Sequence, residues 1–264
     1  MLNEPYPLSD KQIRFYRENG FVKLKDVIEP DVLKEYGAEI TRKVKELNTL
    51  HLPMEERDTY QKAFLQVMNI WRESAVVEEF VRSKRLAGIA AALMGTETAR
   101  LYHDQALYKE PSGGITPWHA DQFYWPVTSD KTVTAWIPLQ KTPLEMGPLA
   151  FSNKSQNFTF GRDLPISNDS EEKIQQALAE QNFTLTEEPF ELGEVSFHAG
   201  WTFHRAGANT TDSPREVMTI IYMDGEMRMK EPSNENEKMD AKSWCPGVKP
   251  GEIIDSPINP VLYP

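Results

Sequence analysis

Apolar positions recur at helical spacing early in the chain and at alternating spacing later. Leu33, Tyr36, Ile40, Val44 and Leu47 fall three or four positions apart, which predicts a helix that starts at Pro30 and turns one apolar face to a core. Ahead of it, Ser9 with Gln12 reads as a capping box, Gly20 ends a short helix, and Phe21, Val22 and Leu24 read as a strand. Helical patterning returns over 59–68 and over 76–93, with Gly95 as a stop. From 99 onward the pattern becomes short β-like runs, over 99–108, 132–139, 147–151, 194–197 and 217–223, divided by Pro, Gly, Asn and Asp. The expected fold is mainly β with flanking α, a sandwich or jelly roll braced by N-terminal helices. Residues 161–188 read as an insertion, its charged segment 170–180 helical, placed to cover an opening. After Met229 the chain is polar and proline-rich without steady periodicity, so 230–264 is expected as an extended tail over the surface, in part over the site. The whole chain, 1–264, is expected as one domain: a helical part over 1–97, a β core over 98–229, and the tail.

Composition narrows the class. With 264 residues, 39% hydrophobic, the chain can bury a sizeable core. Acidic residues outnumber basic ones by 40 to 29, and a net charge of -11 repels phosphate, so neither nucleic acid nor an anionic membrane is an expected partner. Cys245 stands alone, which leaves no internal disulfide and no cysteine cluster for zinc or iron–sulfur. The start of the chain lacks a charged segment followed by an apolar one, and no stretch approaches the ~18 apolar residues a membrane span needs. A cytoplasmic protein acting on a small-molecule substrate is expected.

The chemistry concentrates in two segments. In the first, 118–125, His119 and Asp121 stand two positions apart, so on a strand both point to one face and can converge on one ion. Such a pair alone arises often by chance. A second segment, 197–209, offers His204, which would complete a facial triad of two imidazoles and a carboxylate. Such a triad leaves ferrous iron three adjacent positions for a chelating cosubstrate and dioxygen. Arg215 follows eleven positions later, before the apolar run 217–223, where its fork can pair with the far carboxylate of a dicarboxylic acid. His198 competes for the third ligand position and is expected at a strand end. His103 either faces the pocket or is an ordinary buried histidine.

At this point the chain resembles the phytanoyl-CoA dioxygenase family of iron(II)- and 2-oxoglutarate-dependent oxygenases. The likeness runs through Leu8, Gln12, Tyr16, Gly20, Phe21 and Val22; Lys109 and Pro111; His119 and Asp121; the strand Ala135 to Leu139; Gly147 and Leu149; and His204 with Asn209 and Arg215 five and eleven positions on. Only His204, not His198, stands at those distances. The resemblance implies a double-stranded β-helix, cupin-like, with iron held by His119, Asp121 and His204. It further implies that Arg215 binds the distal carboxylate of 2-oxoglutarate, with Lys109 and Trp136 beside the cosubstrate. Many members carry a hydroxyl two residues after the distal histidine. Here that position is Ala206, and Thr134 is the expected substitute. Halogenating relatives replace the carboxylate ligand by a small residue; Asp121 is present, so hydroxylation is the expected reaction, with O2 consumed and succinate and CO2 released.

Gln105, Tyr108, Phe123, Tyr124 and Trp125 are candidates for the substrate wall, each with ordinary aromatic or polar packing as the competing reading. The expected substrate is a small organic molecule or an acyl derivative. Two other functions use the same residues: a cupin-like zinc hydrolase, since these ligands suit zinc as well, and a catalytically silent binding protein on the same scaffold. Arg215 argues against the zinc hydrolase.

Overall fold

Ser9 caps the first helix as its spacing predicts, and Gly20 turns the chain out of it. In the computed structural model, which describes residues 2–264, α1 (Asp10–Asn19) ends at Gly20 with φ 83°, and β1 (Phe21–Leu24) follows. A side chain at Gly20 would meet Thr202 Oγ1 at 2.4 Å, and that hydroxyl donates to Gly20 O at 2.7 Å. This close approach ties the N-terminal segment to the turn ahead of His204.

The helices cover one face of a sheet. They are α2 (Pro30–Leu47) and, after the short α3 (Thr59–Ala63), which lies on the cavity side, α4 (Ala75–Val81) and α5 (Lys84–Met94). α2 buries Leu33, Tyr36, Ile40 and Val44, and each fully buried side chain of this kind contributes roughly 1.5–3 kcal/mol. The patterning over 76–93 is broken into α4 and α5 because the Ser83 hydroxyl accepts the Leu86 N–H at 3.3 Å and starts a new helix. The expected helix over 59–68 is also corrected. After α3 the chain extends into β2 (Leu65–Met68), where the open edge of the next strand offers it a complete ladder of backbone partners.

The remaining strands are β3 (Ala99–Lys109), β4 (Thr116–His119), β5 (Thr132–Pro138), β6 (Leu149–Ser152), β7 (Leu185–Glu187), β8 (Val195–Ala199), β9 (His204–Ala206), β10 (Arg215–Asp224) and β11 (Val261–Tyr263). The larger antiparallel sheet runs β1-β8-β5-β10-β3, with β2 and β11 sharing the far side of β3; the smaller runs β4-β9-β6-β7. Phe21, Trp136 and Val217 of the larger sheet pack with Leu149, Phe151 and Ala206 of the smaller. Two antiparallel sheets facing each other in this way form the expected jelly roll.

In β3 the register against β10 shifts: His103 lies opposite Ile221 and Leu101 opposite Tyr222, so Tyr102 is an extra residue. The bulge changes which face each side chain takes. Ala99 and Leu101 on one side of it, and Ala106 and Tyr108 on the other, all join the core beneath the helices.

Two segments close over the sheets. The insertion carries α6 (Asn168–Glu180), capped by Ser167. The segment 230–264, expected as extended, carries α7 (Glu235–Trp244), whose first turn is capped by the Asn234 side chain accepting from Glu237 N–H at 2.9 Å. Asn234 followed by Glu235 and Glu237 is a helix-start signal that the surrounding prolines masked. Among the described residues no helix is long and apolar enough to cross a membrane.

Candidate active site

His119 ends β4 and His204 opens β9, and the pairing of these strands sets the two residues opposite each other with ring centroids 4.2 Å apart. Each imidazole is oriented from behind. Nδ1 of His119 donates to Pro117 O at 2.7 Å and Nδ1 of His204 to Thr202 O at 3.0 Å, which leaves both Nε2 lone pairs facing forward. Asp121 Oδ1 lies 3.5 Å from one Nε2 and 3.6 Å from the other. Those separations are too long for good hydrogen bonds and suit three ligands around one ion, their ligating atoms all within 4.8 Å of one another. Burial, and then His119 beside it, holds the His204 imidazole well below its usual range, in the neutral form a metal needs. Burial alone would raise Asp121, yet the imidazoles around it hold the carboxyl well below its usual range. These residues fit an iron ion.

The second oxygen of Asp121 is occupied by protein. Oδ2 accepts from His198 Nε2 at 3.1 Å and from Thr134 Oγ1 at 3.0 Å, and the two donors are cross-strand partners on β8 and β5. His198 stands near the end of β8, one residue before its last, Ala199. Thr134, expected against the cosubstrate carboxylate, has its hydroxyl committed to Asp121.

Arg215 opens β10 directly opposite Lys109, the last residue of β3. Both side chains are buried, at 1% and 0% exposure, and no carboxylate pairs with either among the described residues. The guanidinium lies 5.4 Å over the Trp136 ring, Nη1 donates to Gly147 O at 2.5 Å, and Nε has no partner. Lys109 Nζ donates to Gly114 O and, at 3.4 Å, to Thr116 Oγ1. Burial lowers Arg215 to about 9; burial, then the neighbouring Arg215, lowers Lys109 to about 6. A buried guanidinium without a counter-charge, with an amine opposite it that a bound anion would protonate, makes an anion site.

Asn209 explains its own fixed distance from the arginine. Its Nδ2 reaches the carbonyls of Lys109 at 3.1 Å and Ser213 at 2.8 Å, and so joins the end of β3 to the loop before β10. The hydroxyl absent at Ala206 has a counterpart across the strand pair, where Thr116 lies directly opposite. Sequence reasoning passed over Thr116, although its distance from His119 already put it in the same short segment.

A cavity of about 480 Å³ contains the triad, Arg215, Thr116, Thr134 and Trp136. Of the residues expected in the substrate wall, Gln105, Tyr124 and Trp125 line it. Tyr108 does not: its hydroxyl lies 2.8 Å from Thr41 on α2, because alternation along β3 turns it to the helices. Phe123 packs edge-on against Tyr124 at 5.0 Å instead of facing the cavity. His103 does line it, with burial lowering its pKa to about 4. Residues not foreseen come from β2 and its approach (Tyr60, Phe64, Gln66, Met68), from the insertion (Pro165, Ile166) and from α7 (Asn236, Met239, Asp240, Trp244). The insertion is tied in by Ile166 N–H, which donates to the Tyr124 hydroxyl at 2.9 Å.

Fold and site together define the class: a double-stranded β-helix whose paired strands bring two imidazoles and a carboxylate around one ion position, with a buried arginine in the same cavity. Residues 16–217 match the family model described as phytanoyl-CoA dioxygenase (PhyH), and the chain belongs to that family. A probable alpha-ketoglutarate-dependent hypophosphite dioxygenase of Stutzerimonas stutzeri is 25% identical over 80% of this chain and 77% of its own length. An ectoine dioxygenase of Streptomyces coelicolor is 24% identical over 86% and 82%. Among solved structures, the epimerase SnoN, crystallised with Fe3+, alpha ketoglutarate and nogalamycin RO, superposes with a TM-score of 0.80 at 23% identity, over 96% of this chain and 98% of its own. The carbocyclase SnoK from nogalamycin biosynthesis superposes at 0.79 and 24% identity, over 98% and 99%. The structural likeness establishes the fold.

Proposed function

We propose that this protein is an iron(II)- and 2-oxoglutarate-dependent oxygenase that hydroxylates a small organic molecule. The observation that carries the reading is the presence in one cavity wall of two features: the His119–Asp121–His204 cluster and the buried guanidinium of Arg215, which has no counter-charge and stands opposite Lys109 on the next strand. Iron(II) with 2-oxoglutarate supplies oxidation of a C–H bond by dioxygen, with succinate and carbon dioxide released.

Each protein group then has a positional task. His119 Nε2, His204 Nε2 and Asp121 Oδ1 hold the ion, while His198 and Thr134 keep the other carboxylate oxygen engaged so that Asp121 offers one ligand atom. Arg215 would pair with the distal carboxylate, its Nε having no partner in the protein. Lys109 and the Thr116 hydroxyl stand beside it, and Trp136 covers the guanidinium face. A zinc hydrolase would have no use for this buried cationic pair, and a carboxylate at position 121 occupies the place a halide would need. Both points support the hydroxylase reading.

The test is anaerobic titration of the apoprotein with Fe(II) and 2-oxoglutarate, followed by the weak visible charge-transfer band of a chelated keto acid. The expected result is a band that decays on admission of air with release of succinate and is lost in His204→Ala. Iron binding without the band would overturn the reading. For hydroxylation in particular, the product must carry one oxygen atom from labelled dioxygen.

A further inference from the structure

We infer that the cavity carries a second, oppositely charged end: a subsite for a small organic ammonium compound, built by Asp240 of α7 with the aromatic rings of Trp244, Trp125 and Tyr124. The identification of this ligand as the substrate rests on the oxygenase reading above. The subsite itself does not.

Asp240 is the exception among the buried carboxylates. Asp104 accepts the backbone N–H groups of Ile70 and Trp71, at 3.0 and 3.3 Å, and its role is structural. Glu237 pairs with Lys230 at 2.6 Å and accepts from Ser233. Asp121 faces the ion position. Asp240 is 7% exposed and lines the cavity, and it accepts from neutral donors, the Tyr102 hydroxyl at 3.0 Å and the Trp244 side chain. No cation of the protein pairs with it among the described residues. A carboxylate kept from water at a cavity wall without a counter-charge is a receptor for a cationic donor.

The surroundings suit a cation and no anion. Apart from histidines, the basic side chain in the cavity lining is Arg215, and it sits at the other end of the β3–β10 pair. The nearest lysine on the approach to α7, Lys230, is taken by Glu237. Trp125 and Trp244 line the same cavity as Asp240, with Trp125 5.5 Å from the Tyr102 ring and Trp244 5.4 Å from that of His103. A cation held against aromatic rings is attracted by their negative faces.

The β3 bulge is the device that builds this wall. With regular alternation, only one of Tyr102 and His103 would face inward; the extra residue turns both toward the α7 side, with ring centroids 5.1 Å apart. Tyr102 then reaches Asp240 while His103 lines the cavity. Burial pushes the Asp240 carboxyl up to about 7, so an arriving ammonium group would find an acid ready to ionise against it. An oxyanion of phosphorus would meet the same carboxylate with no compensating base, so the substrate in the name of the hypophosphite relative does not suit this end.

The experiment uses the full chain loaded anaerobically with Fe(II) and 2-oxoglutarate, the charge-transfer band being recorded first. Two probes of matched shape, cyclohexylammonium and cyclohexanecarboxylate, are then titrated by calorimetry. The expected result is binding of the ammonium at least about tenfold tighter than the carboxylate, with Asp240→Asn abolishing that preference and leaving the band intact. The isosteric amide preserves shape, and the intact band reports a folded site. Absence of any preference in the wild-type protein, or a preference that survives Asp240→Asn, overturns the inference while the oxygenase reading stands. A preference without a charge-transfer band would instead sustain the subsite and sink the oxygenase reading.

Discussion

The two ends of the cavity solve opposite electrostatic problems with different structural means. At one end, Arg215 and Lys109 are fixed by strand register, each opposite the other, and their side chains are held by backbone carbonyls and one hydroxyl. At the other end, Asp240 comes from a helix late in the chain and meets the sheet only through Tyr102, a residue its strand has bulged to supply. Strand register admits little adjustment, because a shift of one residue turns every side chain to the other face. A docked helix can change its ligand-facing residues without disturbing the sheet. The fixed end therefore suits the molecule that every turnover shares, and the docked end the one that distinguishes this protein from its relatives.

Arg215→Ala gives the strongest means of breaking that division. Loss of a buried charge-assisted contact costs on the order of 2–5 kcal/mol, so 2-oxoglutarate affinity is expected to fall by roughly 30- to 5,000-fold while the ammonium preference is unchanged. Parallel loss of both, measured by calorimetry, would mean that the ends are not separate. His198→Ala comes next. With one donor to Asp121 Oδ2 removed, iron affinity is expected to fall by about 10- to 100-fold, read by competition with a chelator. Unchanged affinity would show that Thr134 alone suffices to hold the carboxylate.

The same contrast explains what could be read from the sequence. His119, Asp121, His204 and Arg215 lie on or beside strands, where position follows from counting, and the structure brings them into one cavity. Gln105 and Tyr108 differ in parity, so one regular strand cannot send both to the cavity, and Tyr108 belongs to the helix side. The bulge at Tyr102 was invisible because nothing in Leu101–Asp104 marks an extra residue; it exists only relative to β10. The run 65–68 read as helix because its apolar residues fit either period, and the free edge of β3 decided the matter. α7 was hidden by weak amphipathicity: its buried residues are Glu237 and Asp240, and it lines the cavity with Asn236, Met239, Asp240 and Trp244, a largely polar set that no hydrophobic period would reveal.

Tyr102→Phe sharpens the comparison at the docked end. The ring stays and the donor to Asp240 Oδ2 is removed, so a stability loss of about 1 kcal/mol is expected in urea unfolding, with 2-oxoglutarate binding unaltered. A change in 2-oxoglutarate affinity would reveal coupling between the ends.

The smallest effect expected is also the most specific to the fixed end. Burial, then the neighbouring Arg215, lowers Lys109 to about 6, so in the free protein at pH 8 this amine is mostly neutral. A bound carboxylate stabilises the ammonium form and raises that value, and binding must then take up a proton. The sign follows: 2-oxoglutarate affinity should decline as pH rises above about 6, because each binding event needs a proton that becomes scarcer. Calorimetry of the Fe(II)-loaded protein at pH 8, in buffers of differing ionisation enthalpy, should report uptake approaching about one proton per cosubstrate. Lys109→Met retains the apolar stem and should bring uptake close to zero, with only a few-fold loss of affinity, since Arg215 keeps the main contact. If the variant takes up as many protons as the wild type, the proton goes to another group, and Lys109 does no more than fill the space behind Arg215.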